Sequence, residues 1–273
     1  MAMRVEFLGP FTASIDGIDI TPSAHKPCQI LALLALKPGQ TVSIQNCIDE
    51  LWGINPPARA VATLHSYIHM LRRRVKEALP DEHPWTAKDY LATSRGGYTL
   101  HLLGGSTDVL DLQRLDRESG LTLHGGEIEL ACATLREGLS LRRGRFLADL
   151  RLGAVLEFEG QVIEGYLQAI LAKRINLDMR LHRHHDVLWE LRRMLLADPL
   201  NESLVAQLMT SLYQIGQVAG ALGEYARLRM ALVAELGVEP TERLKRLQNA
   251  ILDGRALDDS LLPTEMTKLS SSQ

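Results

Sequence analysis

The chain has 273 residues, 46% of them hydrophobic and 23% charged, ordinary values for packed protein and enough length for two domains of usual size. Its net charge of −3 excludes the strongly basic balance of a protein that coats nucleic acid, so any such contact must come from a local patch. The N-terminal Met1–Phe7 has no basic region before a long apolar run, and the longest apolar stretch, Ile30–Leu36, is too short for a bilayer; a cytoplasmic protein is expected.

Arg4–Ile20 reads as short strands. Val5 and Phe7 alternate with Arg4 and Glu6, Gly9-Pro10 breaks the run, and Asp16-Gly17 between Ala13–Ile15 and Ile18–Ile20 is a hairpin signal. After Ser23, a helical run places Ile30, Leu33, Leu34 and Lys37 on one stripe until Pro38-Gly39 ends it. Ser43 suits the N-cap of a second helix with Ile44, Ile48, Leu51 and Trp52 on one face, stopped by Gly53 and Asn55-Pro56-Pro57. A third helix is expected from about Arg59 to Leu79, its seam formed by Val61, Leu64, Ile68, Leu71 and Val75. Tyr90–Thr93 and Tyr98–Leu102 then read as strands joined by Ser94-Arg95-Gly96-Gly97, where the glycines supply a tight turn. Strands, three helices and a terminal hairpin give an α+β winged helix-turn-helix over residues 1–104.

From Asp108 the strand signal stops. Amphipathic helices are expected over Val109–Glu118, Glu127–Leu141, Leu156–Leu181, Asp186–Ala197, Glu202–Ile215, Ala219–Leu236 and Glu242–Leu252, punctuated by Asp198-Pro199, Gly216-Gln217 and Gly237–Pro240. That rhythm fits an all-α, tetratricopeptide-like domain over 105–254, with degenerate repeats, followed by a polar, disordered tail over 255–273.

With the third helix packed through its apolar seam, the opposite face presents Ala62, Thr63, Ser66, His69, Met70 and Arg73. Hydroxyls, an imidazole and a guanidinium are groups that read base edges in a major groove, while Arg72, Arg74 and Lys76 would reach phosphates on either side. Taken alone, Arg72–Lys76 better suits a solvated helix end whose cations meet the helix dipole. The Arg95 turn shifts the balance, because a wing would bring that guanidinium to the neighbouring backbone. The scattered Cys28, Cys47 and Cys132 read as buried thiols, the His182/His184/His185 cluster as a helix end without metal-ligand spacing, and Trp52, Trp85 and Trp189 as packing or partner surface. No nucleotide-binding or hydrolase motif occurs, so neither a cofactor nor catalysis is expected.

Specific strings extend this reading. Phe7-Leu8-Gly9-Pro10, the Gln29–Leu36 helix, Ile48-Asp49-Glu50-Leu51-Trp52-Gly53 with Pro56-Pro57, Leu71-Arg72-Arg73 and Gly96-Gly97-Tyr98 resemble the OmpR-type DNA-binding domain of the Streptomyces antibiotic regulatory proteins (SARPs). Leu135–Leu139 with Gly144, Leu208-Met209, Ala221-Leu222, Tyr225 and Glu235–Pro240 resemble the bacterial transcriptional activation domain of that family in its short, stand-alone form. The resemblance implies an activator of a secondary-metabolite (antibiotic) gene cluster. It would bind direct repeats near the −35 element as a homodimer on double-stranded promoter DNA. Thr63, Ser66, His69, Arg72, Arg73, Arg74, Lys76 and Arg95 would contact that DNA. Trp52, Asn55 and Pro56 would meet sigma factor and RNA polymerase, in a cytoplasmic, nucleoid-associated protein. Two rival readings remain at this stage: a helical-repeat scaffold with a vestigial winged domain, and a ligand-sensing repressor.

Overall fold

The computed structural model describes residues 2–80 and 82–257, so most of the tail expected over 255–273 lies outside the described residues. The chain forms two compact units, one through Ala172 and the other from Lys173 onward.

The first unit begins with β1 (Met3–Glu6), β2 (Thr12–Ile15) and β3 (Ile18–Asp19). Met3 and Val5 face the core while Arg4 and Glu6 are half-exposed, as a period of two requires. Asp16 and Gly17 turn β2 into β3 with φ of 49° and 84°, the left-handed pair that an Asp-Gly hairpin supplies. Helix α1 (His25–Leu36) follows. Its burial runs unbroken from Pro27 to Ala35, which corrects the single stripe expected there: α2, α3 and two strands all pack against this helix, so no face is left for water. Lys37 lies just past its end, 2.6 Å from Glu159 through Nζ.

Next come β4 (Thr41–Ser43), α2 (Ile44–Trp52), α3 (Ala60–Ala78), a one-turn α4 (Ala87–Tyr90), β5 (Leu91–Ser94) and β6 (Gly97–Leu100). β4, β6 and β5 form an antiparallel sheet in that order. Gly97 is required where it stands, since a Cβ there would meet the Val42 carbonyl oxygen at 2.0 Å. Tertiary packing does not pause at residue 104. β7 (Ser106–Thr107) adds to the first sheet beside β1 in parallel, giving the order β3-β2-β1-β7. α5 (Asp108–His124), α6 (Ile128–Ser140) and the first part of α7 (Ala154–Arg180) complete the unit. Asp108, 1% exposed, accepts from the Phe7 amide at 2.9 and 2.8 Å and from the Leu8 amide at 2.8 Å.

The second unit holds the end of α7 with α8 (His184–Ala197), α9 (Glu202–Gln214), α10 (Val218–Leu236) and α11 (Glu242–Leu252). From α8 to α11, successive helices pack on each other as hairpins. Asn201 caps α9 through its side-chain oxygen, 3.1 Å from the Ser203 and Leu204 amides, and the left-handed Gly216 and Gly237, φ 81° and 68°, end α9 and α10. His184 is buried rather than solvated, its ring 6.1 Å from that of His182. Burial, then the neighbouring histidines, lowers its pKa. Among the described residues no cluster of three His, Cys, Asp or Glu could hold a metal, and no helix is long and apolar enough to cross a membrane. All three cysteines are buried; burial pushes the Cys28 thiol up to about 11 and Cys47 up to about 12.

Candidate nucleic-acid interface

The helix-turn-helix is assembled from local signals. Ser43 Oγ accepts the Asn46 amide at 3.0 Å and so fixes where α2 starts. Gly53, at φ 59°, ends it with its N–H on the Asp49 carbonyl at 2.9 Å. The exposed turn Ile54–Arg59 leads into α3.

The buried seam of α3 is Ala60, Leu64, Ile68, Leu71, Val75 and Ala78. Val61, expected in that seam, is instead 43% exposed. At roughly 100° per residue, four steps back from Leu64 land about 40° from its direction and three steps about 60°, so Ala60 takes the inward place and Val61 faces outward.

That phase leaves Ala62, Ser66, His69 and Arg73 exposed on one face, with Thr63 and Met70 half-buried beside them. The hydroxyls of Thr63 and Ser66 donate to the Arg59 and Ala62 carbonyls, each at 3.1 Å. With the proton engaged in this way, each hydroxyl keeps acceptor lone pairs, the chemistry that pairs with an exocyclic base amine. Arg73 Nε lies 3.5 Å from Glu77 Oε1 with both side chains largely exposed, a pairing too weak to hold the guanidinium back from a stronger anion. Lys76 is exposed and Arg74 half-buried on the flanks.

Arg72 differs from the expectation of a free phosphate ligand. Its Nε donates to the Leu91 carbonyl at 2.9 Å and its Nη2 to Thr93 Oγ1 at 2.7 Å, both on β5. The guanidinium therefore ties α3 to the strand that leads into the β5–β6 turn. At that turn Arg95 is exposed next to Gly96, whose φ is 85°. Sequence reasoning could assign Arg72 a charge but not a partner, because Leu91 and Thr93 lie 19 and 21 residues away.

At the N-terminal end of α3 the surface opens into a depression of about 580 Å³ whose lining includes Gln45, Pro57, Arg59, Val61, Ala62 and His65. His65 was missed as a candidate, although it adjoins Ser66 on the helix; it is exposed with its ring edge-on to Tyr98, centroids 6.5 Å apart. Of the three candidates Trp52, Asn55 and Pro56, Pro56 also lines this depression. Lys26 Nζ sits 4.6 Å above the half-buried Trp52 ring, a cation–π contact that leaves an amphipathic tip. Asn55 and Pro56 are exposed, and Ile54 between them and Trp52 is 95% exposed.

Comparison with known proteins fits this geometry. Residues 20–100 match the family model described as transcriptional regulatory protein, C terminal, and residues 107–252 match the bacterial transcriptional activator domain. Regulatory protein DnrI of Streptomyces peucetius is 41% identical over 250 residues, 92% of each chain. Regulatory protein AfsR of Streptomyces coelicolor is 31% identical over 92% of this chain but only 24% of its own length. Among solved structures, Mycobacterium tuberculosis EmbR in complex with a low affinity phosphopeptide superposes with a TM-score of 0.84 at 26% identity, covering 94% of this chain and 66% of that one.

Proposed function

The chain belongs to the Streptomyces antibiotic regulatory protein family of DNA-binding transcriptional regulators, not to an enzyme family, and from that premise we propose that it activates a secondary-metabolite gene cluster by binding direct repeats near the −35 element. In this reading the α3 face enters the major groove, with Thr63, Ser66, His69 and Arg73 at base edges and Arg74 and Lys76 at phosphates. The Arg95 wing touches the adjoining backbone, and Arg72 supports it from behind. Two copies lie side by side on one stretch of duplex. Residues 1–104 bind DNA and 105–254 serve activation, while Trp52, Asn55 and Pro56 offer a contact to sigma factor and RNA polymerase. The protein acts at the nucleoid in the cytoplasm.

The observation that carries the proposal is the outward face of α3: polar and cationic side chains over a fully buried seam, beside a hairpin fastened to the same helix. A chain of net charge −3 can bind DNA only if such cations are concentrated where the phosphates lie. Footprinting on the promoters beside its own gene tests it. Two protected repeats about one helical turn apart are expected, together with a steep loss of affinity as salt rises. Arg73→Ala should relax base preference at one position by about 1–3 kcal/mol. No protection at any concentration would favour a protein-binding scaffold instead.

A further inference from the structure

Glu50 is a carboxylate in the last turn of α2, 2% exposed, and no role in DNA contact is open to it. Its Oε1 accepts the Gly153 amide at 2.6 Å, and its Oε2 accepts the Val155 and Leu156 amides at 3.1 and 2.9 Å. These are N–H groups at the start of α7, which the helix itself cannot satisfy and whose dipole favours an anion. The approach is so close that only glycine fits, because a Cβ on Gly153 would fall 2.0 Å from the Glu50 carbonyl oxygen. Around this cap, Gln29 Nε2 donates to the Arg151 carbonyl at 2.6 Å, and His25 Nε2 accepts the Arg151 amide at 2.8 Å. The start of α7 is thus held by α1 and α2 of the helix-turn-helix. The same helix continues to Arg180, past the division at Ala172, so its last residues belong to the second unit.

One side chain therefore sits three residues before Gly53, where the turn to the recognition helix begins, and also caps the helix that leads into the tetratricopeptide-like half. We infer that Glu50 is a positioning residue for activation, coupling occupancy of the helix-turn-helix by DNA to α7. The inference rests on the DNA-binding reading above. A shift of α2 on docking must either carry the α7 terminus with it or leave three amides, that of Leu156 fully buried, without an acceptor. Neither route touches DNA, so loss of the carboxylate should separate binding from activation.

The test uses the full chain. Hydrogen exchange is followed in peptides covering residues 150–158, with and without the duplex mapped by footprinting, beside gel-shift affinity and transcription with purified RNA polymerase at matched promoter occupancy. In the wild type, duplex binding should change the exchange of the Gly153, Val155 and Leu156 amides. Glu50→Gln, which turns an amide donor toward these N–H groups, should speed their exchange and abolish the response to duplex. Its operator Kd should stay within about threefold while transcript yield falls about fivefold or more, the lower end of ordinary coupling between sites. The exchange measurement on the wild type needs no variant, so a poorly folding Glu50→Gln would not shelter the proposal. Unchanged exchange at 150–158 on a bound duplex would overturn it, as would full activation by Glu50→Gln. A wild type that binds no duplex would overturn the DNA-binding reading and this inference together, whereas a bound but uncoupled protein would overturn this one alone.

Discussion

Asp108→Asn is the most informative single change to the fold beneath the interface. The carboxylate is buried, and its Oδ2 serves both the Phe7 and Leu8 amides at 2.8 Å while Oδ1 lies 2.9 Å from the Phe7 amide. Asparagine keeps one acceptor. With that oxygen in the Oδ2 place both amides remain bonded, but the bonds lose their charge. The new NH2 then faces the Phe7 N–H, donor against donor. A hydrogen bond to a charged acceptor contributes about 1.5–3 kcal/mol and a neutral one about 0.5–1.5, so two bonds lose about 2–3 kcal/mol; the asparagine NH2 left without an acceptor adds about 1–3. Against this stands relief from burying a charge, the largest influence on this carboxyl. We expect a net loss of about 2 kcal/mol at neutral pH, or a melting temperature lower by about 4–8 °C for a unit of this size. Thermal unfolding by circular dichroism measures it. A variant as stable as the wild type would mean that desolvation outweighs the three contacts, and that the segment just after β1 is not pinned to α5 through this side chain.

The pH dependence of the same pair has a definite sign. Burial leads in raising the Asp108 and Glu50 carboxyls above the usual carboxylate range, so the folded chain holds these protons more tightly than the unfolded one. Their stabilising contribution is full below the unfolded pKa of about 4 and is lost as pH rises through the raised folded value. The stability gap between wild type and Asp108→Asn should accordingly widen as pH is lowered from neutrality toward 4; a narrowing gap would reverse the assignment. In DNA titrations, Arg95→Ala and Lys76→Ala should each reduce the salt slope by about 0.9, whereas Arg72→Ala should weaken binding at nearly constant slope because its guanidinium serves β5. Equal slope losses would return Arg72 to the phosphates. Ile54→Asp, at a position 95% exposed, should leave stability within about 0.5 kcal/mol and DNA affinity unchanged while transcription falls; undiminished transcription would remove the loop from polymerase contact.

What the sequence determined by itself was whatever is decided within a few residues. The Asp16-Gly17 hairpin, the Ser43 cap, the stop at Gly53, the glycine ends of α9 and α10, and the bounds of α11 all follow from backbone preferences and short-range hydrogen bonds. The strings shared with the family were legible for the same reason, being contiguous. Tertiary structure decided the rest. Ser106–Thr107 is two residues long and carries no alternation of its own, so only the edge of β1 makes it a strand. The choice of Ala60 over Val61 for the seam turns on packing phase, which outranks side-chain hydrophobicity at a helix start. Arg72, Glu50 and Asp108 advertise charge in the sequence, but their partners lie from 19 to 106 residues away. Charge can be read one residue at a time; the acceptor or amide that fixes its role exists only once distant segments have been brought within hydrogen-bond reach.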